Sequence, residues 1–255
     1  MIEKYLNNRF LILFLTPTIL GSLAVLSFEP FNFTIINFLI FPFFFYLLLH
    51  INKKTRAVYR IKPYKKNLFI FGLSFGFGFY LSGISWITNS LTFDENFKIL
   101  IPFALILIPL FLSLFSAFTT LVVGPYLKLD LPSILIFSAS IAFSDYLRSF
   151  VFTGFPWNLW AYSTLSFNEL LQIVNLFGLH SYNLLVITLF TSPIIFFFKI
   201  SKIKKMLCFL FTFSLILSLY LYGNYQITKN KKFLQTEKEK IYVKIISPNF
   251  DLQYG

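Results

Sequence analysis

Cysteine is all but missing from this chain: Cys208 is the only one in 255 residues. That count excludes both a disulfide framework and a thiolate zinc site. No histidine or acid lies close to Cys208 in sequence, so it reads as a small apolar packing residue rather than a nucleophile. Histidine is nearly as scarce, and His50 and His180 fall at or near the ends of apolar runs, where interfacial hydrogen bonding is their ordinary use. No metal and no cofactor is expected. Charge is sparse as well, at 13% of residues, with ten acids against 22 lysines and arginines. So little charge, together with a mean hydropathy of +0.74, excludes an ordinary soluble domain.

What the chain does have is long apolar runs. Seven recur, near residues 10–28, 33–50, 67–90, 99–124, 131–148, 170–198 and 206–225, each close to the roughly 20 residues that cross a bilayer. They are apolar all round, without the polar stripe of a surface helix. Pro42, Pro102, Pro109 and Pro193 lie inside them, where neighbouring helices can satisfy the freed carbonyls. The expected fold is therefore an all-α polytopic membrane protein with about seven transmembrane helices over residues 1–225. Ser22-Leu23-Ala24, behind Lys4 and Arg9, has the small-x-small form of a signal-peptide cleavage site. The first run is longer than a signal's apolar region, however, and reads as a retained helix. The 37 phenylalanines accompany abundant Ile, Lys and Asn, as an AT-biased genome would produce, and are not taken as a ligand signal.

A net charge of +12 invites a nucleic-acid partner, but its placement argues against one. Lys53, Lys54, Arg56, Arg60, Lys62, Lys65 and Lys66 fill one short connection, and Lys199, Lys202, Lys204 and Lys205 another. The alternate connections are nearly free of base: residues 91–98 hold only Lys98 against Asp94 and Glu95, and residues 149–168 hold no charge. This is the positive-inside pattern. It predicts a cytoplasmic N-terminus and places both the 149–168 connection and the end of the chain outside. The basic connections can also touch anionic lipid, at about 1 kcal/mol per residue near the surface.

Two segments stand out within this frame. Asp145 and Arg148 end the fifth run three residues apart, on one helical face. A charge at mid-bilayer costs about 2.5–3.5 kcal/mol, so such residues are paired or functional. Two readings stay open: a structural ion pair at the mouth of the bundle, or an Arg148 that holds a phospholipid phosphate in its planar fork. The uncharged aromatic loop Gly154-Phe155-Pro156-Trp157 follows, with Tyr162 beyond it. It is either a rigid turn and anchor or part of the wall of a lipid entrance, as is Trp86 at the outer end of the third run. In that run Gly72 and Gly76 form a GxxxG step, and Ser74, Gly78 and Ser82 fall four apart beside Gly83. Small residues so spaced let helices approach closely in lipid. After Tyr225 the composition turns polar through residue 240, a linker by its look, and residues 241–246 then read as a buried β-strand ended by Ser247-Pro248-Asn249.

Taken together these stretches resemble the apolipoprotein N-acyltransferase family of bacterial inner membranes. The likeness is carried by Ser27-Phe28-Glu29-Pro30-Phe31-Asn32, by the run from Gly76 to Trp86, and by Asp145-Tyr146-Leu147-Arg148 through Gly154–Trp157, Tyr162-Ser163, Gly178 and Asn183. The third of these is the specific one. Asp145 stands where the family usually has Glu, Ala161 where it has Gly, and Glu29 is unusual at its turn. The resemblance implies that residues 241–255 open an incomplete extracytoplasmic nitrilase-like domain, so that the chain is cut short at its start. It implies acyl transfer through a thioester on a cysteine, from a phospholipid donor to the N-terminal diacylglyceryl-cysteine of an apolipoprotein. It also implies a multi-pass inner-membrane protein with a periplasmic C-terminal end and no nucleic-acid partner. The family's nucleophilic Cys and its Lys and Glu match no residue here, so no catalytic residue is assigned and the chain alone is expected to be inactive. Two other functions are open to such a chain. A transporter or channel would want mid-span ionisable residues and repeated halves, and neither is found. A non-functional remnant of the acyltransferase has the same sequence features as a working membrane portion.

Overall fold

In the computed structural model the described residues are 8–58, 63–151, 154–236 and 243–244. Helix α1, Leu11–Ser27, opens as a π-turn over Leu11–Leu15, continues as α-helix over Thr16–Ala24 and tightens at Val25–Ser27. The wide turn has a cause in Pro17, which has no N–H for the carbonyl of Leu13 and pushes that turn open. Helix α2, Asn37–Val58, follows a short 3-10 turn at Thr34–Ile36. Helix α3 is Pro63–Ile84, extended by a 3-10 stretch over Ser85–Thr92. Helix α4, Ile101–Val123, starts with Pro102 in its first turn, where a missing N–H costs nothing. Helix α5, Leu131–Arg148, is capped by the Asp130 carboxylate, which accepts from the Ser133 N–H at 3.0 Å. Helix α6, Leu179–Thr191, runs on as 3-10 helix over Ser192–Phe197, and α7 spans Lys202–Thr236.

Neighbour contacts fix the directions. Arg9 donates to Asn67 (3.1 Å) and Ser22 to the Gly78 carbonyl (3.2 Å), so α1 and α3 run parallel. Gly72 and Gly76 of α3 sit against Ala117 and Ser113 of α4, which makes that pair antiparallel. The Asn52 amide reaches the Gly124 carbonyl at 3.0 Å, so α2 and α4 finish at one level. The helices thus alternate up and down. One end of the bundle collects Lys65, Lys66, Lys128, Lys199, Lys202 and Lys204. The other collects the ends of α1, α3 and α5 and the starts of α2, α4 and α6. Between them lies an aromatic core in which Phe44 meets Phe75 at 4.4 Å, and Trp160 meets Phe41 and Phe79, each at 4.7 Å between ring centroids. Such pairs add about 0.5–1.5 kcal/mol each beyond the area they bury.

Four expectations need correction or narrowing. Among the described residues five stretches are long and apolar enough to cross a membrane: Thr34–Asn52, Tyr64–Thr92, Glu95–Tyr126, Leu179–Phe197 and Lys202–Lys232. Of the seven expected, Leu11–Ser27 is apolar but short, and α5 is diluted by four serines, Asp145 and Arg148. The sixth run does not span from residue 170. Its first part is two single-turn helices, Asn168–Leu171 and Val174–Phe177, broken from α6 by Gly178 in the left-handed region (φ +78°). The strand read at 241–246 falls mostly outside the described residues; Val243 and Lys244 are exposed and irregular, and no strand occurs among the described residues. Helix α7 continues to Thr236, across much of the segment read as a linker.

Candidate functional site

The last turn of α5 builds the site. Asp145 and Arg148 are both buried, Arg148 to 1% exposure, and the Arg148 Nη2 donates to Asp145 Oδ1 at 3.1 Å. The Arg148 Nη1 donates to two loop carbonyls, those of Phe155 and Trp157, each at 2.6 Å. Its guanidinium carbon lies 5.4 Å from the centroid of the Tyr80 ring, a cation–π contact across to α3. The second carboxylate oxygen of Asp145 accepts from the Asn183 amide of α6 at 2.9 Å, and the Asn183 carbonyl oxygen accepts from the Ala161 N–H, also at 2.9 Å. Charge-assisted bonds of this kind contribute about 1.5–3 kcal/mol each. One ion pair and one amide therefore tie α5, α6, α3 and the connecting loop together.

The loop between α5 and α6 is pinned along its length. Gly154 takes φ +79°, and the Phe155 N–H returns to the Arg148 carbonyl at 2.9 Å. The Thr34 hydroxyl, in the 3-10 turn before α2, donates to the Ser163 carbonyl at 2.5 Å, and the Thr164 and Tyr182 hydroxyls share a bond at 2.8 Å. Trp160, 4% exposed, sinks into the phenylalanine core. Pro156 and Trp157 are left on the surface, and the Trp157 ring meets Trp86 edge to face at 5.4 Å. Phe155 and Tyr162 are half-buried beside them. The expected residues Trp86, Asp145, Arg148, Gly154, Phe155, Pro156, Trp157 and Tyr162 thus come together at one end of the bundle. The ion pair of the first reading is present, with both terminal nitrogens engaged by protein groups and Nε buried without a hydrogen-bond partner among the described residues.

The packing residues are placed with one exception. Gly72 and Gly76 face α4, Gly78 faces the Thr18 carbonyl of α1, and Gly83 faces the Asn158 amide of the loop. Ser82 is exposed and marks no such contact. Reading the residues by themselves missed Thr34, Tyr80, Trp160 and Tyr182. Asn183 entered only through the resemblance, although an amide in an apolar run is itself a signal of a buried polar partner. Replacing Asn183 by leucine should cost about 1–3 kcal/mol, since one carboxylate oxygen and one backbone N–H lose their partner. Amide hydrogen exchange at Ala161 should rise with it; unchanged protection there would mean that the amide does not hold the loop.

Comparison with known proteins bears on this same region. The apolipoprotein N-acyltransferase N-terminal domain matches residues 20–192. The chain belongs to that family. Among curated apolipoprotein N-acyltransferases, one from Brucella melitensis biotype 1 is 34% identical over 176 residues, 68% of this chain. Another, from Agrobacterium fabrum, is 29% identical over 235 residues, 91% of this chain. A third, from Rhodopseudomonas palustris, is 31% identical over 174 residues. The chain spans only 32%, 42% and 31% of the lengths of these three relatives. Every element that builds the candidate site, from α1 to α6, has residues inside the matched segment. The family and the apolar helices together make this a multi-pass membrane protein.

Proposed function

We propose that this chain is the membrane portion of an apolipoprotein N-acyltransferase, crossing the membrane seven times with its basic end in the cytoplasm. The whole enzyme would move an acyl chain from a phospholipid to the N-terminal diacylglyceryl-cysteine of a lipoprotein at the outer face of the bacterial inner membrane. The observation that carries the reading is the locked aromatic loop over residues 154–164, which lies inside the family match and is held by the Asp145–Arg148–Asn183 cluster. A rigid Trp86–Trp157 edge at the headgroup level gives lipid substrates a fixed wall along which to enter sideways. In this reading the chain positions and admits lipid. The nucleophile, its base and the oxyanion donor would be supplied from outside these 255 residues, in the manner of covalent acyl transfer. Cys208 supports that division, because it lies in the second turn of α7, near the basic end and away from the loop.

Two assays test this. The 255-residue chain in vesicles should transfer no acyl group to a diacylated lipopeptide, whereas a chimaera carrying its residues 20–192 in the Brucella relative should remain active. Turnover by the chain alone would refute the division of labour, and an inactive but folded chimaera would favour a remnant. In a Cys208→Ser background, a cysteine replacing Trp157 should react with a membrane-impermeant maleimide added outside intact cells, and one replacing Lys202 should not. The opposite labelling would invert the topology.

A further inference from the structure

Helix α7 is attached to the bundle at two places and stands off between them. Near one end Gly223 packs against the Glu169 carbonyl, and near the other the Lys205 ammonium donates to the Phe196 carbonyl at 2.6 Å. Only 11% of its span is buried. Between the two attachments runs an apolar groove in two sections that share Phe38, Phe213 and Ile216. The section toward the basic end is an open cleft of about 160 Å³ between the 3-10 stretch Ser192–Phe197 and the first turns of α7. Its origin lies in the sequence: Pro193 ends α6, and the narrower 3-10 coil that follows leaves room. The hydroxyls of Ser192 and Thr212 are spent on the Leu189 and Cys208 carbonyls, both at 2.8–2.9 Å, so both side chains leave only carbon for the groove.

The mouth of this section is strongly basic. Lys199, Lys202, Lys204 and Lys205 lie within seven residues. Among the described residues none of the four has a carboxylate within ion-pairing distance. Along α7, Lys205 and Ile216 are eleven residues apart, about 16 Å at helical rise. One leaflet of a bilayer has a hydrocarbon depth of about 15 Å. A groove of one leaflet's depth, carbon-lined below and with lysines lacking a carboxylate partner above, matches an anionic phospholipid in charge and in length.

We infer that this section binds an anionic phospholipid of the basic-end leaflet, its phosphate on the lysines around Lys205 and one acyl chain along Phe209, Thr212 and Ile216. The lipid fills the gap between α6 and α7 and serves as a structural wedge, separate from the loop end at which acyl transfer is proposed. Cys208 lines the groove and is the chain's single thiol, so it reports on occupancy without any substitution.

The test uses the full chain in nanodiscs of phosphatidylcholine with or without 30% phosphatidylglycerol. Alkylation of Cys208 by N-ethylmaleimide should slow about tenfold with phosphatidylglycerol, as for a site about nine-tenths occupied. The K199Q/K202Q/K204Q variant, which changes only exposed residues and keeps the Lys205–Phe196 attachment, should lose that protection. Protein purified from phosphatidylglycerol-containing membranes should retain about one such lipid per chain by native mass spectrometry. Ile216→Trp, which fills the groove but keeps the lysines and the surface potential, should retain none. Equal protection by phosphatidylcholine alone, protection that survives loss of the lysines, or lipid retained by the filled groove would each overturn the assignment.

Discussion

Substituting methionine for Arg148 is expected to lower the stability of the bundle by about 4 kcal/mol, the largest single-residue effect at the site. The size follows from what is left behind. Asp145 would remain buried with its Oδ1 partner gone, and removing one member of a buried pair costs about 3–5 kcal/mol. The carbonyls of Phe155 and Trp157 would each lose a charge-assisted donor at 2.6 Å, while the methionine stem would recover part of the lost packing. Asp145→Asn alone should cost less, about 2–3 kcal/mol, because the asparagine oxygen can still accept from Arg148 and the guanidinium keeps both loop carbonyls, although the new NH2 group then faces the Asn183 amide. The double variant should then be more stable than Arg148→Met by itself, since no uncompensated charge is left in the bundle. Detergent-unfolding midpoints for the four proteins of this cycle measure the coupling directly. Costs that merely add would mean that the two charges do not act as a pair. A midpoint for Arg148→Met within about 0.5 kcal/mol of wild type would mean that the guanidinium does not hold the loop.

The contrast between Asp145 and Trp160 says why part of this site could be read from sequence and part could not. Asp145 and Arg148 are legible because a charge at the end of an apolar run is expensive, and their spacing of three puts them on one face. The alternation of bare and lysine-filled connections is legible for the same kind of reason, since charge does not cross a bilayer cheaply. The partners of the pair are another matter. Phe155 and Trp157 contribute backbone carbonyls, which carry no residue signature, and Asn183 lies 35 residues on from Arg148. Trp160 looks in sequence like one more interfacial anchor beside Trp157. Between the two rings Asn158 takes φ +55°, and across it the chain sends Trp160 inward and leaves Trp157 at the surface. The sixth run misled for a related reason: residues 170–178 are apolar enough to continue a helix, and it is Gly178 at φ +78° that ends the short turns before α6. Hydropathy reports which segments avoid water, and backbone reversals inside such segments are nearly invisible to it.

Valine at Gly72 is expected to abolish folding of the chain, and alanine there to cost about 2–4 kcal/mol. A Cβ at Gly72 would overlap the Thr120 hydroxyl and lie 2.9 Å from the Ala117 Cα, and one at Gly76 would lie 2.8 Å from the Ser113 Cα. Overpacking usually costs about 1–3 kcal/mol when side chains can shift, but these contacts include the backbone of α4, which can yield only by moving the whole helix. In lipid no hydrophobic effect draws α3 and α4 together, so their association rests on close packing and interhelical hydrogen bonds. Parting them gives up both, including the 2.8 Å bond from Thr120 to the Leu68 carbonyl. Two controls separate this from a general intolerance of α3 to larger residues. Ser82→Val, at the exposed position, should leave folding within about 0.5 kcal/mol of wild type. Thr120→Ala should fail to rescue Gly72→Val, because clearing the hydroxyl leaves the Ser116 carbonyl and the Ala117 Cα in place. Rescue by Thr120→Ala would reduce the contact to a single side chain. Normal accumulation and gel-filtration behaviour of Gly72→Val would show that α3 and α4 do not meet backbone to backbone at all. Gly178→Ala supplies the opposite comparison, since nothing lies within 4 Å of its Cβ position. Its cost should be only the backbone at φ +78° and ψ +166°, a region essentially reserved for glycine, about 1–3 kcal/mol, which makes the two glycines separable as a packing requirement and a conformational one.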